Sequence, residues 1–324
     1  MLRLNDIWNT KNFITYALYP ISYLYRIIIR IRFISTRPKK VSIPVISVGN
    51  LSVGGTGKTP IVRYIVNFFQ EHGVETATIL RGYKGKIKHT IKVDSSIHKA
   101  EDVGDEAILH SIDGNTWVSP NRYLGAQEAI KDGAEVIILD DAHQNFSLQK
   151  DISLIVVDAT EMFANECLLP SGPLREDIKS GLRRADGIII CGKSEALHSE
   201  IINSNKPIFY NQFIPETNLE KFKNFNMYAF CGIGNPRRFF KTLEDNGVKV
   251  VKKKIFQDHH TYKDTEIDNM LKASSKLNLV AITTEKDITK IKKEYHEKIS
   301  VLKIKLEWRN NEFRKFLINN ILNR

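Results

Sequence analysis

The sequence predicts an α/β fold: a mostly parallel sheet flanked by helices, with a second, smaller α/β lobe. Three observations carry this. Residues 45–48, 136–139, 154–157 and 188–190 are short, almost wholly apolar runs rich in Val and Ile, the pattern of strands buried on both faces. Segments with apolar residues at helical spacing, such as 61–69 and 123–131, alternate with them. A glycine-rich run, Ser52-Val53-Gly54-Gly55-Thr56-Gly57-Lys58-Thr59, joins the first strand to the first of these helices. At 324 residues, 42% hydrophobic and 26% charged, the chain has the length and composition to bury the cores of two lobes.

The N-terminus differs in character. Residues 13–25 (FITYALYPISYLY) carry no charge, and Arg26, Arg30 and Arg32 follow among Ile27, Ile28, Ile29, Ile31 and Phe33. The uncharged run is shorter than the ~20 apolar residues that span a bilayer. No small-residue cleavage site follows it, which argues against a secretory signal. Tyrosines beside arginines suit a helix lying in the headgroup region, its cationic heads on lipid phosphate. The plainer alternative is a helix packed on the protein's own core. The density of Tyr and Arg favours the membrane surface.

In the body, 61–69 reads as a helix with Gly73 as C-cap, 74–80 as a strand and 87–93 as one arm of a hairpin. A helix starts near 106, a short strand covers 117–118, and a helix covers 123–131. Residues 209–225 lack clear periodicity and read as the joint between lobes. The smaller lobe follows, with strands at 227–231, 248–256, 279–283 and 301–306 and helices at 236–245, 267–276 and 312–321. Asn235 is its first N-cap, with Pro236 at the first helical position.

The glycine run reads as a phosphate-binding loop, because strand, glycine turn, Lys-Thr and helix come in that order. Glycines let backbone N–H groups converge on phosphate oxygens, and the helix N-terminus adds a favourable dipole. Lys58 then reaches the β- and γ-phosphates, and the Thr59 hydroxyl joins a Mg²⁺ shell. Ser52 stands where the usual pattern opens with Gly. The strand at 136–139 ends in Asp140-Asp141, where such proteins carry a second Mg²⁺-organising element. Gly104-Asp105-Glu106 opens a helix, so Asp105 reads either as a cap or as an acceptor of a hydroxyl proton. Asp258-His259-His260 reads as a solvated turn or as a site whose His orients a carboxylate. Adjacent histidines point apart, which disfavours a metal site there. Arg81, Arg122, Arg175 and Arg183-Arg184 stand in loops or at element ends; most residues so placed are solvated surface charges, and some suit a bidentate grip on phosphate.

The net charge of +11 suits a polyanionic partner. The charge is dispersed and no basic-aromatic signature accompanies it, which argues against nucleic acid. Cys167, Cys191 and Cys231 have no paired spacing, so neither a disulfide framework nor a zinc site is indicated. A guanine-specific switch needs Asn-Lys-x-Asp. Residues 205–208 lack the Asp, and 284–287 have the wrong spacing.

Taken together, SVGNLSVGGTGKTP (47–60), RGYKGK (81–86), VGDE (103–106), SPNRYLGAQEA (119–129), ILDDAHQN (138–145), LLPSGPLRE (168–176), GLRRAD (181–186), AFCGIGNPRRFF (229–240), DHHTY (258–262) and TTEKD (283–287) resemble the tetraacyldisaccharide 4′-kinase family over nearly the whole chain. The resemblance implies a P-loop kinase-like fold with ATP and Mg²⁺ as cofactors. It implies transfer of phosphate to the 4′-hydroxyl of an acylated glucosamine disaccharide 1-phosphate in lipid A biosynthesis. It implies work at the cytoplasmic face of the bacterial inner membrane, on an anionic surface; the sequence itself points to no nucleic-acid partner, and no protein partner is evident from it. The family's atypical P-loop accounts for Ser52. By the same resemblance Lys58, Asp105 and His259 are catalytic, with His259 orienting Asp105. Residues 52–59 bind ATP, and Thr59, Asp140, Asp141 and Glu106 serve the metal. Separately from the resemblance, Arg81 and Arg122 are the cationic positions expected to meet the substrate. Ala142-His143-Gln144-Asn145 replaces the family's Gly-Phe-Gln-His, and Lys84 stands where Gly is commoner. The expected division is a membrane-associated helix over 1–34, a catalytic domain over 35–222 and a smaller lobe over 223–324.

Overall fold

The computed structural model describes Trp8, residues 10–194 and residues 196–323. The remainder of the expected N-terminal segment, 1–7 and 9, lies outside the described residues. Helix α1 (Phe13–Ser35) opens with a capping box between Asn12 and Thr15. It docks through few side chains. The Ser22 hydroxyl donates to Leu168 O at 2.9 Å, Arg26 pairs with Asp177, and the Phe33 ring meets Phe146 edge-on at 5.0 Å. Tyr16, Tyr19, Tyr23, Leu24, Ile28 and Ile31 stay exposed.

The glycine loop connects β1 (Val45–Gly49) to α2 (Lys58–Glu71), and β2 (Thr76–Leu80) follows. The expected hairpin arm at 87–93 shrinks to β3 (Ile91–Lys92). Two short helices, α3 (Ala100–Val103) and α4 (Asp105–Ser111), separate it from β4 (Asn115–Val118), with which it pairs antiparallel. Then come α5 (Arg122–Lys131), β5 (Val136–Asp140), β6 (Ile152–Asp158), α6 (Ile178–Arg183), β7 (Gly187–Cys191), α7 (Ser199–Asn203) and β8 (Ile208–Pro215). The second set is β9 (Asn226–Cys231), α8 (Pro236–Asp245), β10 (Lys249–Ile255), α9 (Asp264–Lys276), β11 (Val280–Thr284), α10 (Glu285–Ile288) and β12 (Ser300–Leu302). The chain ends with β13 (Ile304–Trp308) and α11 (Glu312–Leu317), prolonged by one π-helical turn.

Nine strands form one sheet in the order β13-β8-β7-β6-β1-β5-β2-β4-β3, parallel except at its two ends. Strands β1, β5, β6 and β7 are buried at every position, as their uniform Val/Ile content requires. One face packs under α2 and the C-terminal helix through Ile61, Ile65, Phe69, Phe313 and Leu317. Four strands form the smaller, all-parallel sheet, β10-β9-β11-β12.

Two segments differ from the sequence expectation. The region read as an aperiodic joint, 209–225, begins with an ordered strand, since β8 pairs parallel with β7 and antiparallel with β13. Its flank is only half buried, which blurs the pattern in sequence. The run read as one strand, 301–306, splits between the two sheets as β12 and β13, so the C-terminus returns to the larger one. Every parallel strand of that sheet points its carboxyl end the same way, and β1 and β5, in register at Val48 and Asp140, bring the glycine loop and the paired aspartates to one edge.

Candidate active site

Residues 53–59 of the glycine loop line a cavity of about 1070 Å³ between the two sheets, a size suited to a nucleotide and a second substrate. Gly57 caps α2 with φ +98°, and a Cβ there would lie 2.4 Å from the Phe213 ring. No other residue fits both constraints. Thr56 N donates to Gly54 O at 3.1 Å, and Asn50 Nδ2 donates to the Thr56 hydroxyl at 3.1 Å. The loop is thus braced from below. Ser52 lies at its base, bridged to Leu174, and does not line the cavity.

The two aspartates at the end of β5 diverge. Asp141 faces the cavity, with Lys58 Nζ 3.5 Å from Oδ1. Arg175 Nη1 donates to the same oxygen at 2.7 Å. Burial pushes the Asp141 carboxyl up, but Lys58 and Arg175 outweigh it and hold it at about 2. Asp140 is buried, with Oδ2 2.8 Å from His110 Nε2. Its Oδ1 makes no hydrogen bond, although Asp140 also lines the cavity. Among the described residues no group of three or more His, Cys, Asp or Glu side chains is arranged to cage a metal. Mg²⁺ is commonly held by one or two carboxylates together with substrate phosphates. The orphaned Asp140 oxygen, with Thr59 and Asp141 lining the same cavity, fits such a shell.

Across the cavity, Asp105 at the start of α4 meets His259 from the loop after β10. Nδ1 lies 2.8 Å from Oδ1 and 2.9 Å from Oδ2. Asp105 is 6% exposed, and its neighbours Glu106, His259 and Lys286 line the cavity. Lys286, at the start of α10, stands 3.4 Å from Glu106, 3.6 Å from Asp258 and 3.7 Å from Asp105. Burial pushes the Asp105 carboxyl up, but the His259 hydrogen bond and the charges of Lys286 and Lys290 override it. The group is held well below the usual carboxylate range. Burial pushes the Lys286 ammonium down. Glu106, Asp105 and Asp258 instead raise it above the ordinary lysine value. His260 points elsewhere, to Glu266 at 3.0 Å, and stacks on Phe256.

Arg122 is 4% exposed. Its Nη1 donates to Ser119 O at 2.7 Å, and its Nε has no partner. Burial, with the nearby Arg81 charge, pushes its pKa down to about 10. Arg81 lines the same cavity and is exposed. The atypical residues after the aspartates divide by depth. Ala142 and His143 are buried, with the imidazole against Ser153 Oγ and Gly181 O at 3.0 and 3.1 Å. Gln144 and Asn145 line the cavity. Lys84 donates to Asp258 O at 3.3 Å, reaching the opposite wall.

Sequence reasoning missed three residues here. Lys286 falls within the TTEKD run, whose sequence gives it no role of its own. Arg63, on α2, pairs with Asp113 and stands 3.4 Å from Glu285 of the smaller lobe. Its helix position carries no signal of this. Arg238 pairs with Asp158 and lies over the Phe213 ring at 4.6 Å. The GIGNPRRFF run that contains it was the only available hint.

A family model described as LpxK, tetraacyldisaccharide-1-P 4′-kinase, matches residues 14–322. The tetraacyldisaccharide 4′-kinase of Rhodospirillum rubrum is 35% identical over 309 residues, covering 94% of this chain and 93% of that protein. That of Parvibaculum lavamentivorans is 37% identical over 275 residues, covering 84% and 80%. A crystal structure of LpxK from Aquifex aeolicus, described as an "apo" form in complex with ATP, superposes with a TM-score of 0.76 at 30% identity, covering 94% of this chain and 98% of that one. The chain belongs to the tetraacyldisaccharide 4′-kinase family.

Proposed function

We propose that this protein transfers the γ-phosphoryl group of ATP to the 4′-hydroxyl of a tetraacyldisaccharide 1-phosphate. The observation that carries the residue assignment is the closure of His259 onto Asp105 beside the cavity that Lys58 lines. The hydroxyl oxygen forms the new bond to the γ-phosphorus, the bond to the β,γ-bridging oxygen breaks, and ADP leaves. Asp105 takes the hydroxyl proton. A carboxylate held this far below its usual range is a weak base. It suits a loose transition state, in which proton transfer lags behind phosphoryl departure. His259 donates from Nδ1 and fixes the carboxylate's orientation. Lys58 and the loop N–H groups neutralise charge on the transferring group. Mg²⁺, when bound, supplies further neutralisation of the phosphates, and Asp140, Asp141 and Thr59 would hold it, with Glu106 close by. Arg81 and Arg122 offer positive charge to the substrate.

The substrate is a lipid, and α1 supplies the means to meet it. No described helix is long and apolar enough to cross a membrane. The exposed Tyr, Ile and Leu side chains of α1 suit the headgroup layer, and its arginines suit anionic lipid. Tyr25, Ile29 and Arg32 of the same helix line the cavity, so a lipid-embedded substrate passes from the membrane to the site along one element. The use of ATP supports a reaction at the cytoplasmic face of the inner membrane. By sheet membership we divide the chain into α1, a catalytic unit that also contains the C-terminal β13 and α11, and the smaller lobe between them.

The test is transfer of labelled γ-phosphate to the disaccharide lipid in mixed micelles by purified protein. A bisphosphorylated lipid should form, and Lys58→Ala and Asp105→Ala should abolish it. Hydrolysis of ATP at equal rate with and without the lipid would instead identify a nucleotide switch.

A further inference from the structure

His110 lies outside every role assigned so far, yet it is buried against the metal-organising end of β5. Its Nε2 is 2.8 Å from Asp140 Oδ2, and both residues are 2% exposed. An ionised carboxylate can only accept, so Nε2 carries the hydrogen. The other oxygen, Oδ1, is buried and has no partner in the protein, while Asp140 contributes to the cavity wall. The terminal torsion of an aspartate is broad and nearly two-fold, so an unrestrained carboxylate exchanges its oxygens. The imidazole removes that freedom. It also connects two parts of the site, because His110 is in the last turn of α4, whose first residues are Asp105 and Glu106.

We propose that His110 is a positioning residue for the divalent cation: it pins Asp140 Oδ2, leaves Oδ1 for the metal shell, and fixes that oxygen relative to Asp105. The inference rests on the kinase reading of the site. Partners of metal-binding carboxylates commonly change metal affinity by about 10–100-fold when removed. The geometry assigns this to the N–H donor and not to the bulk of the ring.

The experiment titrates Mn²⁺ into the full-length protein at saturating ADP and follows water-proton relaxation, which does not depend on turnover. His110→Met preserves length and removes the donor. His110→Gln preserves length and keeps one. The expected result is a loss of Mn²⁺ affinity of about 10–100-fold in His110→Met, largely restored in His110→Gln, with the same order in the Mg²⁺ concentration that half-saturates turnover. Wild-type affinity in His110→Met overturns the proposal, as does equal weakening in both variants. If His110→Met does not fold, His110→Asn, whose donor is too short to reach, takes its place. A wild-type protein that binds no Mn²⁺ with ADP would sink the kinase reading itself, a result distinct from a wild type that binds and variants that do not differ from it.

Discussion

A single imidazole N–H of His259 is shared by both carboxylate oxygens of Asp105, at 2.8 and 2.9 Å, across a separation of 154 residues. The contact joins α4 of the larger unit to a loop of the smaller lobe, so the acid group is complete only when the lobes are together. Asp105→Asn keeps the shape and removes the basic oxygen. It should lower kcat by about 10²–10⁴, the usual scale for a proton acceptor, with the KM for ATP little changed. Steady-state kinetics with the lipid acceptor measure this, and a kcat within threefold of wild type would remove Asp105 from the reaction.

Lys286 neutralises three carboxylates at 3.4–3.7 Å, and its charge is one cause of the low Asp105 value. Lys286→Met removes an opposite charge, which raises a carboxylate's pKa by roughly 1–3 units when the pair is close. The acid limb of kcat/KM should therefore move to higher pH in the variant. An unmoved limb with reduced kcat would show that Lys286 acts through packing alone.

Asp141 sets a pH window for stability. Its carboxyl is at about 2 in the folded protein, with burial opposing and Lys58 and Arg175 imposing the shift. The unfolded chain has the ordinary value near 3.9. The unfolded state thus binds more protons between these values, so the stabilisation is present above about pH 4 and is lost as pH falls toward 2. Asp141→Asn should flatten that part of a urea-denaturation series taken from pH 5 to pH 2.5. Parallel curves for wild type and variant would contradict the assignment.

What could be read in the sequence follows from range of interaction. The strands β1, β5, β6 and β7 declared themselves because burial on both faces leaves uniform Val/Ile runs. The glycine loop was visible because its chemistry is local. Strand β8 was not, since six of its eight residues are only partly buried and its antiparallel partner β13 comes some 90 residues later. Motif resemblance supplied the pairing of Asp105 with His259, which composition and spacing left open. Lys286, Arg63 and His110 had no local mark, because each matters through a partner brought near by folding.

The exposed face of α1 gives a membrane prediction. Leu24 and Ile28 are one turn apart and 59% and 62% exposed, whereas Ser22 is docked on Leu168 and Ser171. Leu24→Asp and Ile28→Asp should each weaken binding to anionic vesicles about tenfold or more, given roughly 1.5–3 kcal/mol for burying such a side chain. Thermal stability should change little, as is usual for surface positions. Vesicle sedimentation and melting curves test the pair. A large fall in melting temperature would mean that this face packs on protein.

Gly234 tests whether the closed arrangement is the reactive one. A Cβ there would lie 2.6 Å from Gly55 N and 3.0 Å from Gly55 Cα. Main chain meets main chain, so no flexible side-chain end can give way. Gly57 is different, because its φ of +98° would strain the loop itself on substitution. Gly234 has no such φ, so Gly234→Ala leaves its own backbone unstrained and acts only between the phosphate loop and the smaller lobe. It should hold the lobes slightly apart, withdrawing His259 from Asp105. A displacement of about 1 Å at a reacting group costs on the order of 10² in rate. The expected result is a kcat reduced by about that factor, a larger radius of gyration in solution scattering and a melting temperature near that of wild type. Full kcat in Gly234→Ala would mean that the phosphate loop and the smaller lobe separate before the phosphoryl group moves, and that the His259–Asp105 contact belongs to the resting protein.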